Sequence, residues 1–275
     1  MRTALLALSR NPGMRHFTES SALGKRISRR FVAGLHLDDA IGAVAAVNQL
    51  GMTATLDPLG ENVDSEAAAE QAAATACHIL EEIQRCRVDS NLSIKLTQLG
   101  LDLGLDLART QARRILDCAK QWNTFIRVDM EGSPYTETTI RLVEELHGEG
   151  YNVGTVLQSY LRRTLADLQS LLPLQPNLRL VKGAYLEPES VAFPDKREVD
   201  ENYLRLIDAA LPTIGFSAIA THDEAAIEHA LRLAKRRQLV GHFEVQMLYG
   251  IRPQLQRQLL ARSVPTRLLV SYGSE

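Results

Sequence analysis

Eight short runs of β-forming residues recur along the chain, and a helix-patterned segment separates each from the next. The runs are MTATLD (52–57), LSIKLT (92–97), FIRVDM (125–130), NVGTVLQ (152–158), LRLVKG (178–183), FSAIATH (216–222), HFEVQM (242–247) and RLLVSYG (267–273). The segment EAAAEQAAATACHILEEIQRC is rich in strong helix formers. QARRILDCAKQW, TETTIRLVEELHGEG, RTLADLQSLLP, VDENYLRLIDAALP and AAIEHALRLAKRR carry apolar residues at three-to-four spacing. Gly150 and Pro173 stand where two of these helices should stop. Strands joined through helices must lie parallel, because parallel neighbours need a crossover. Eight such units imply an α/β fold of the (βα)8 barrel type. A doubly wound sheet is the competing arrangement, but its G-x-G-x-x-G turn after an early strand is missing from this sequence.

Residues 1–50 are expected to form an N-terminal helical arm, and residues 51–275 the barrel. The basic run KRISRR (25–30) reads as a solvated helix face rather than a polybasic contact. The eighth run leads straight into SYGSE, where the sequence stops, so the barrel is expected to be distorted and to lack its last helix. The flank of strand eight then needs another cover, and the helical arm is a candidate.

Composition narrows the class. A formal charge of −2 gives no reason to expect nucleic-acid binding. The first residues hold only five consecutive apolar positions, Ala4 to Leu8, too few for a signal-peptide core or a membrane span. Three cysteines, Cys77, Cys86 and Cys118, form no C-x-x-C pair. They argue against a disulfide framework or a zinc site and suit a reducing, cytoplasmic setting; no metal is expected.

In a barrel of this type the active site lies at the C-terminal ends of the strands. There the sequence places Glu61, Lys95, Gln98, Asp129, Gln158, Arg179, Lys182, Thr221, His222, Glu244 and Gln246. Side chains alternate between faces along a strand. Ser93, Lys95 and Thr97 therefore share one face, as do Arg127 and Asp129, and Glu244 and Gln246. Lys95 and Asp129, on neighbouring strands, are expected to pair and so tolerate burial. Arg179 and Lys182 differ in parity, so a regular strand cannot aim both inward. Gly183 marks where the strand ends or bends and releases Lys182.

The ordered motifs RFVAG, TLDPLGENV, IKLTQLGLD, RVDMEGS, VLQSYLRRT, RLVKGAY, IATHD and FEVQMLYGIR, over residues 31–273, resemble the FAD-dependent proline dehydrogenases of the short, monofunctional bacterial kind. The resemblance implies oxidation of L-proline to 1-pyrroline-5-carboxylate by hydride transfer to the flavin. This is the first step of proline degradation to glutamate. It further implies electrons passed to a quinone and a cytoplasmic protein with peripheral contact at the inner membrane. It implies roles for individual residues as well. Asp129 and Arg179 would be catalytic, with Arg179 near the flavin N5. Lys95 and Tyr185 would bind substrate, and Glu61 would gate the site. Met130, Gln158, Arg179, Lys182, Gly183, Ala184, Thr221 and His222 would contact FAD. Arg179 and Lys182 would bring positive charge to the flavin and its pyrophosphate, favouring the reduced form. Gly183 would let backbone approach the cofactor.

The family ends in an eighth helix bearing Tyr-x-x-Arg-Arg, which grips the proline carboxylate, and this sequence stops before it. Weak or absent proline turnover is therefore an alternative expectation, as is a flavin-binding barrel that has lost catalysis. A Schiff-base aldolase using Lys95 or Lys182 is the competing enzyme class.

Overall fold

The computed structural model describes residues 32–60, 62–239 and 241–273. Eight parallel strands close into a barrel in sequence order. The strands are β1 (Thr53–Pro58), β2 (Ser90–Ile94), β3 (Ile126–Val128), β4 (Val153–Gln158), β5 (Asn177–Val181), β6 (Phe216–Ala220), β7 (Phe243–Leu248) and β8 (Thr266–Tyr272). All eight expected strands are present, with ends shifted by a few residues. The helices are α1 (Leu37–Gln49), α2 (Glu66–Cys86), α3 (Leu105–Lys120), α4 (Thr136–Gly148), α5 (Thr164–Leu171), α6 (Lys196–Ala210), α7 (Glu224–Arg237) and α8 (Pro253–Ala261). The basic run 25–30 and most of the expected arm lie outside the described residues.

Local chemistry sets the helix ends. Ser65 caps α2 by accepting from the Ala68 N–H at 3.4 Å. Asp195 does the same for α6, and Asp223 for α7, where two N–H groups converge on it. Such caps satisfy amides that the helix leaves unpaired. Lys235, Arg236 and Arg237 occupy the last turn of α7, where cations suit the helix dipole. Pro253 opens α8, where its missing N–H costs nothing.

The described helix of the expected arm, α1, packs on the barrel. Ala40, Val44 and Val47 of α1 are buried, and α1 lies against both β1 and β8. Val32 pairs with Ser271 beyond it, and the Gly273 N–H donates to the Gly34 carbonyl at 2.9 Å. An apolar stripe on α1 thus faces the β8–β1 seam.

One expectation fails. Cys77 on α2 and Cys118 on α3 form a disulfide, with Cα atoms 5.8 Å apart. The two cysteines are 41 residues apart in sequence and meet only because α2 and α3 pack side by side. Cys86 is free.

The barrel interior departs from the branched aliphatic filling usual for this fold. Leu92, Ile126, Val245 and Val270 face the helices within the main apolar core. The opposite faces of the same strands point inward, and they are mainly polar. Arg127 is buried within the barrel and donates to the Thr155 and Asn177 carbonyls, each at 2.7 Å, and to the Asn177 side chain. Gly154 makes room for it: a Cβ there would lie 2.0 Å from the Asn177 carbonyl and 3.1 Å from Arg127 Nη1. Phe125 sits below the guanidinium, 4.6 Å from ring centroid to Cζ. Burial, together with repulsion from Arg179, pulls the Arg127 pKa well down from its ordinary value.

Candidate active site

Two charged centres form near the C-terminal ends of the strands. In the first, Arg179 of β5 crosses the barrel. Its Nη1 donates to Asp129 Oδ1 at 2.6 Å, its Nη2 to Ser93 Oγ at 3.2 Å and its Nε to Gln246 Oε1 at 2.7 Å. Ser93 also donates to Asp129 Oδ1 at 3.2 Å. Side chains from β2 and β7, and from the residue following β3, thus fix one guanidinium that is only 6% exposed. Its position on β5 is inward, as the alternation of β5 requires, and the buried charge is tolerated because Asp129 neutralises it.

In the second centre, Lys95 Nζ donates to Asp57 Oδ1 at 2.7 Å, and Ser271 Oγ donates to Asp57 Oδ2 at 2.9 Å. The expected Lys95–Asp129 pair therefore gives way to Lys95–Asp57 and Arg179–Asp129. Asp57 and Ser271 are directly paired across the β1–β8 seam. That seam exists only once the barrel closes, so the sequence pointed to Lys95 but not to its partner.

Beside these centres Glu131, also buried, accepts from the Thr97 backbone N–H at 3.2 Å and from the Thr97 hydroxyl. Its carbonyl accepts from Gln158 Nε2 at 2.9 Å. Gln158 closes β4 and Met130 lies buried next to Glu131. Gln98 reaches back to the Pro58 and Gly60 carbonyls. Ser133 donates twice to Glu187, tying the loop after β5 to the loop after β3.

Lys182 takes a different direction. β5 ends at Val181, and Lys182 turns to the starts of α6 and α7. There its Nζ meets Asp200 Oδ1 at 2.6 Å and Asp223 Oδ2 at 2.7 Å. Burial works against its charge, but the two aspartates outweigh that and raise its pKa. A Schiff-base mechanism needs a neutral amine. Lys182 is held charged and Lys95 is ion-paired, so this arrangement disfavours the aldolase reading.

Gly183 follows with φ +107, in the region that favours glycine. A Cβ built there would lie 2.2 Å from the Tyr160 ring. The geometry therefore assigns the glycine to close passage over Tyr160, whose N–H donates to the Lys182 carbonyl at 2.9 Å. Gly183→Ala should cost about 1–3 kcal/mol from backbone strain alone, with displacement of a buried ring added. Thermal denaturation reads this as a drop of about 2–4 °C per kcal/mol; an unchanged midpoint would show that the ring and backbone yield freely. Tyr185 packs against the small cluster of Tyr160, Leu161, Ala192 and Val199, and Ala184 is exposed.

Thr221 follows β6, and its hydroxyl accepts from the Asp223 N–H at 3.2 Å. His222 Nε2 accepts from the Leu248 N–H at 3.0 Å, and its carbonyl accepts from Arg252 at 2.7 Å. An acceptor at Nε2 means a neutral ring with its proton on Nδ1. Burial, reinforced by Arg252, holds the His222 pKa below its usual value. The unfolded chain then binds the proton more readily than the folded one. The stability from neutral His222 is full above about pH 6.5 and fades as pH falls through the depressed folded value. The difference in unfolding midpoint between wild type and His222→Leu should therefore shrink on acidification. A difference constant across that window would show that His222 stays unprotonated or contributes nothing. Glu61 lies outside the described residues.

Residues 40–275 match the family model for proline dehydrogenase. The chain belongs to the proline dehydrogenase family. As a member it is an oxidoreductase. Proline dehydrogenase 1 of Bacillus subtilis subsp. natto is 41% identical over 277 residues, spanning 100% of this chain and 91% of the relative. The proline dehydrogenase of Deinococcus radiodurans is 40% identical over 280 residues, spanning 100% and 90%. Among solved structures, proline utilization A from Bdellovibrio bacteriovorus inactivated by N-propargylglycine superposes with a TM-score of 0.84 at 21% identity. That match covers 91% of this chain and 31% of the larger protein, and it speaks for the fold. Proline utilization A from Corynebacterium freiburgense gives 0.78 at 25% identity, covering 98% and 31%. Among the described residues no helix is long and apolar enough to cross a membrane.

Proposed function

We propose that this chain oxidises L-proline to 1-pyrroline-5-carboxylate with FAD bound at the mouth of the barrel. The observation that carries the proposal is Arg179. A guanidinium has five N–H donors, and Asp129, Ser93 and Gln246 take three. Two are left for a partner outside these contacts. A buried, pre-oriented cation with spare donors suits the electron-rich edge of a flavin better than it suits a purely structural pair. The donor set thus fits the cofactor.

FAD, when bound, would accept the hydride lost from the proline ring. The protein's share is placement and field. Arg179, Gln158, Met130, Thr221, His222 and the Lys182–Gly183–Ala184 segment would hold the cofactor. His222 offers a ring N–H through Nδ1, since Nε2 is occupied. Lys182, already neutralised by two aspartates, would act mainly by fixing the segment that carries Gly183. Lys95, with Tyr185, would take the substrate carboxylate, keeping Asp57 and Ser271 as its anchor. Asp129 would hold Arg179 rather than Lys95, and Glu61 would gate the entrance. Electrons would pass to a quinone, with peripheral contact at the inner membrane from a cytoplasmic position. The exposed Leu186 and Leu248, which follow β5 and end β7 on the mouth side, support that contact.

Incubating the purified protein with L-proline and a soluble quinone should form 1-pyrroline-5-carboxylate in proportion to quinone reduced. No imine product, from protein shown to bind FAD, would overturn the catalytic reading and leave a flavin-binding barrel. Slow turnover with intact flavin binding would instead support the weakened-enzyme reading.

A further inference from the structure

We infer that Glu244 and Gln246, acting together, are positioning residues that set the rotation of the Arg179 guanidinium. The inference rests on the proposal that Arg179 serves the flavin, and it concerns which residues keep that group aimed.

An amide can present either end to an arginine. The Gln246 carbonyl would accept from Arg179 Nε, whereas its NH2 would meet that N–H donor to donor. Nothing in Gln246 itself decides between the two. Glu244 decides it. Gln246 Nε2 donates to Glu244 Oε1 at 2.7 Å. An ionised carboxylate is an acceptor only, so it captures the NH2 end and leaves the carbonyl end for Arg179, at 2.7 Å.

Glu244 is fixed in turn. Arg267 Nε donates to the same Oε1 at 2.8 Å, and Arg267 Nη1 donates to the Ala54 carbonyl at 2.6 Å. The chain of contacts runs from the backbone of β1 through β8 and β7 to β5. Glu244 is 7% exposed and Gln246 5%, so water has little access to compete. The spacing is the strand's own: residues 244 and 246 share the inward face of β7, and Arg267 is the direct β8 neighbour of Gln246. Asp129 and Ser93 hold the two Nη groups, and Gln246 holds Nε. Contacts on both the Nη and the Nε sides oppose rotation of the planar guanidinium from opposite edges.

The test compares three variants. Glu244→Leu combined with Arg267→Met removes the carboxylate without stranding its cationic partner. Gln246→Met removes the amide and touches no charge pair. Glu244→Gln is the conservative control, because an amide oxygen can still accept from Arg267 and from Gln246. The first readout needs no cofactor: the Arg179 Nε–H resonance of the FAD-free protein, and its protection from exchange with water. It should be protected in wild type and Glu244→Gln, and lose protection in the other two. The second readout is the rate of flavin reduction by proline. It should fall about ten- to a hundredfold, the worth of a charge-assisted hydrogen bond, with FAD affinity and KM held. In Glu244→Gln it should recover to within about threefold of wild type if acceptor geometry is what matters.

Unchanged Nε–H protection in Gln246→Met would overturn the inference, and that variant decides the matter if the double variant fails to fold. Lost protection with undiminished flavin reduction would uphold the tether and overturn the role of Arg179 at the flavin.

Discussion

Replacing Arg179 by methionine is expected to slow proline-driven flavin reduction by about a hundred- to a thousandfold, the scale for removing one pre-oriented stabiliser of developing charge. The same change leaves Asp129 in a largely buried site, with Ser93 as its hydrogen-bond donor. An uncompensated buried charge costs about 3–5 kcal/mol, so a loss of folding could pass for a loss of catalysis. Asp129→Asn in the same chain separates the two. The double variant should regain most of the lost stability, because no charge is then stranded, and none of the lost rate. Rate and stability are read by stopped-flow absorbance and thermal denaturation. Recovery of both together would mean that Arg179 serves the fold rather than the chemistry.

The second large effect is expected at Lys95. Lys95→Met should raise KM for proline by about ten- to a hundredfold, since a hydrogen bond to a charged group contributes about 1.5–3 kcal/mol. It also strands Asp57, whose remaining hydrogen bond comes from a neutral hydroxyl, Ser271. A stability loss of about 3–5 kcal/mol is therefore expected as well. Adding Asp57→Asn should restore stability and leave KM high. A KM that returns with the stability would show that Lys95 only buttresses the β1–β2 seam.

The contrast between these two centres shows what the sequence could reveal. Strand alternation is local, so the inward faces of Ser93 and Lys95, of Arg127 and Asp129, and of Glu244 and Gln246 were all readable from parity alone. For Arg179 parity said only that it and Lys182 cannot both point inward from a regular strand. Pairing is not local. Which carboxylate meets Lys95 depends on closure of the barrel between β8 and β1, where Asp57 and Ser271 become neighbours. Asp57 shares parity with Thr55, so alternation extended to the end of β1 marks it as inward, but does not say which cation it meets. Lys182 was legible as a residue released from the strand. Its partners were not, because Asp200, in the second turn of α6, and Asp223, the cap of α7, belong to two helices that converge only in the fold. The Cys77–Cys118 bond was hidden for the same reason. The packing of α1 was partly legible: its buried Ala40, Val44 and Val47 form an apolar stripe, but which strands it meets depends on the closed barrel.

Gly183 carries a further lesson. Its place in RLVKGAY suggested room for a cofactor, yet the nearest obstacle to a side chain is the Tyr160 ring. A glycine beside a binding site can answer to the protein's own packing before it answers to a ligand.

The most direct measurement is an anaerobic absorption spectrum of the purified protein, taken before and after L-proline is added. A protein that carries FAD at this mouth should show the visible flavin band and lose it on addition of L-proline, while D-proline leaves it intact. A preparation that takes up no FAD, or whose flavin band survives excess L-proline, would contradict the account.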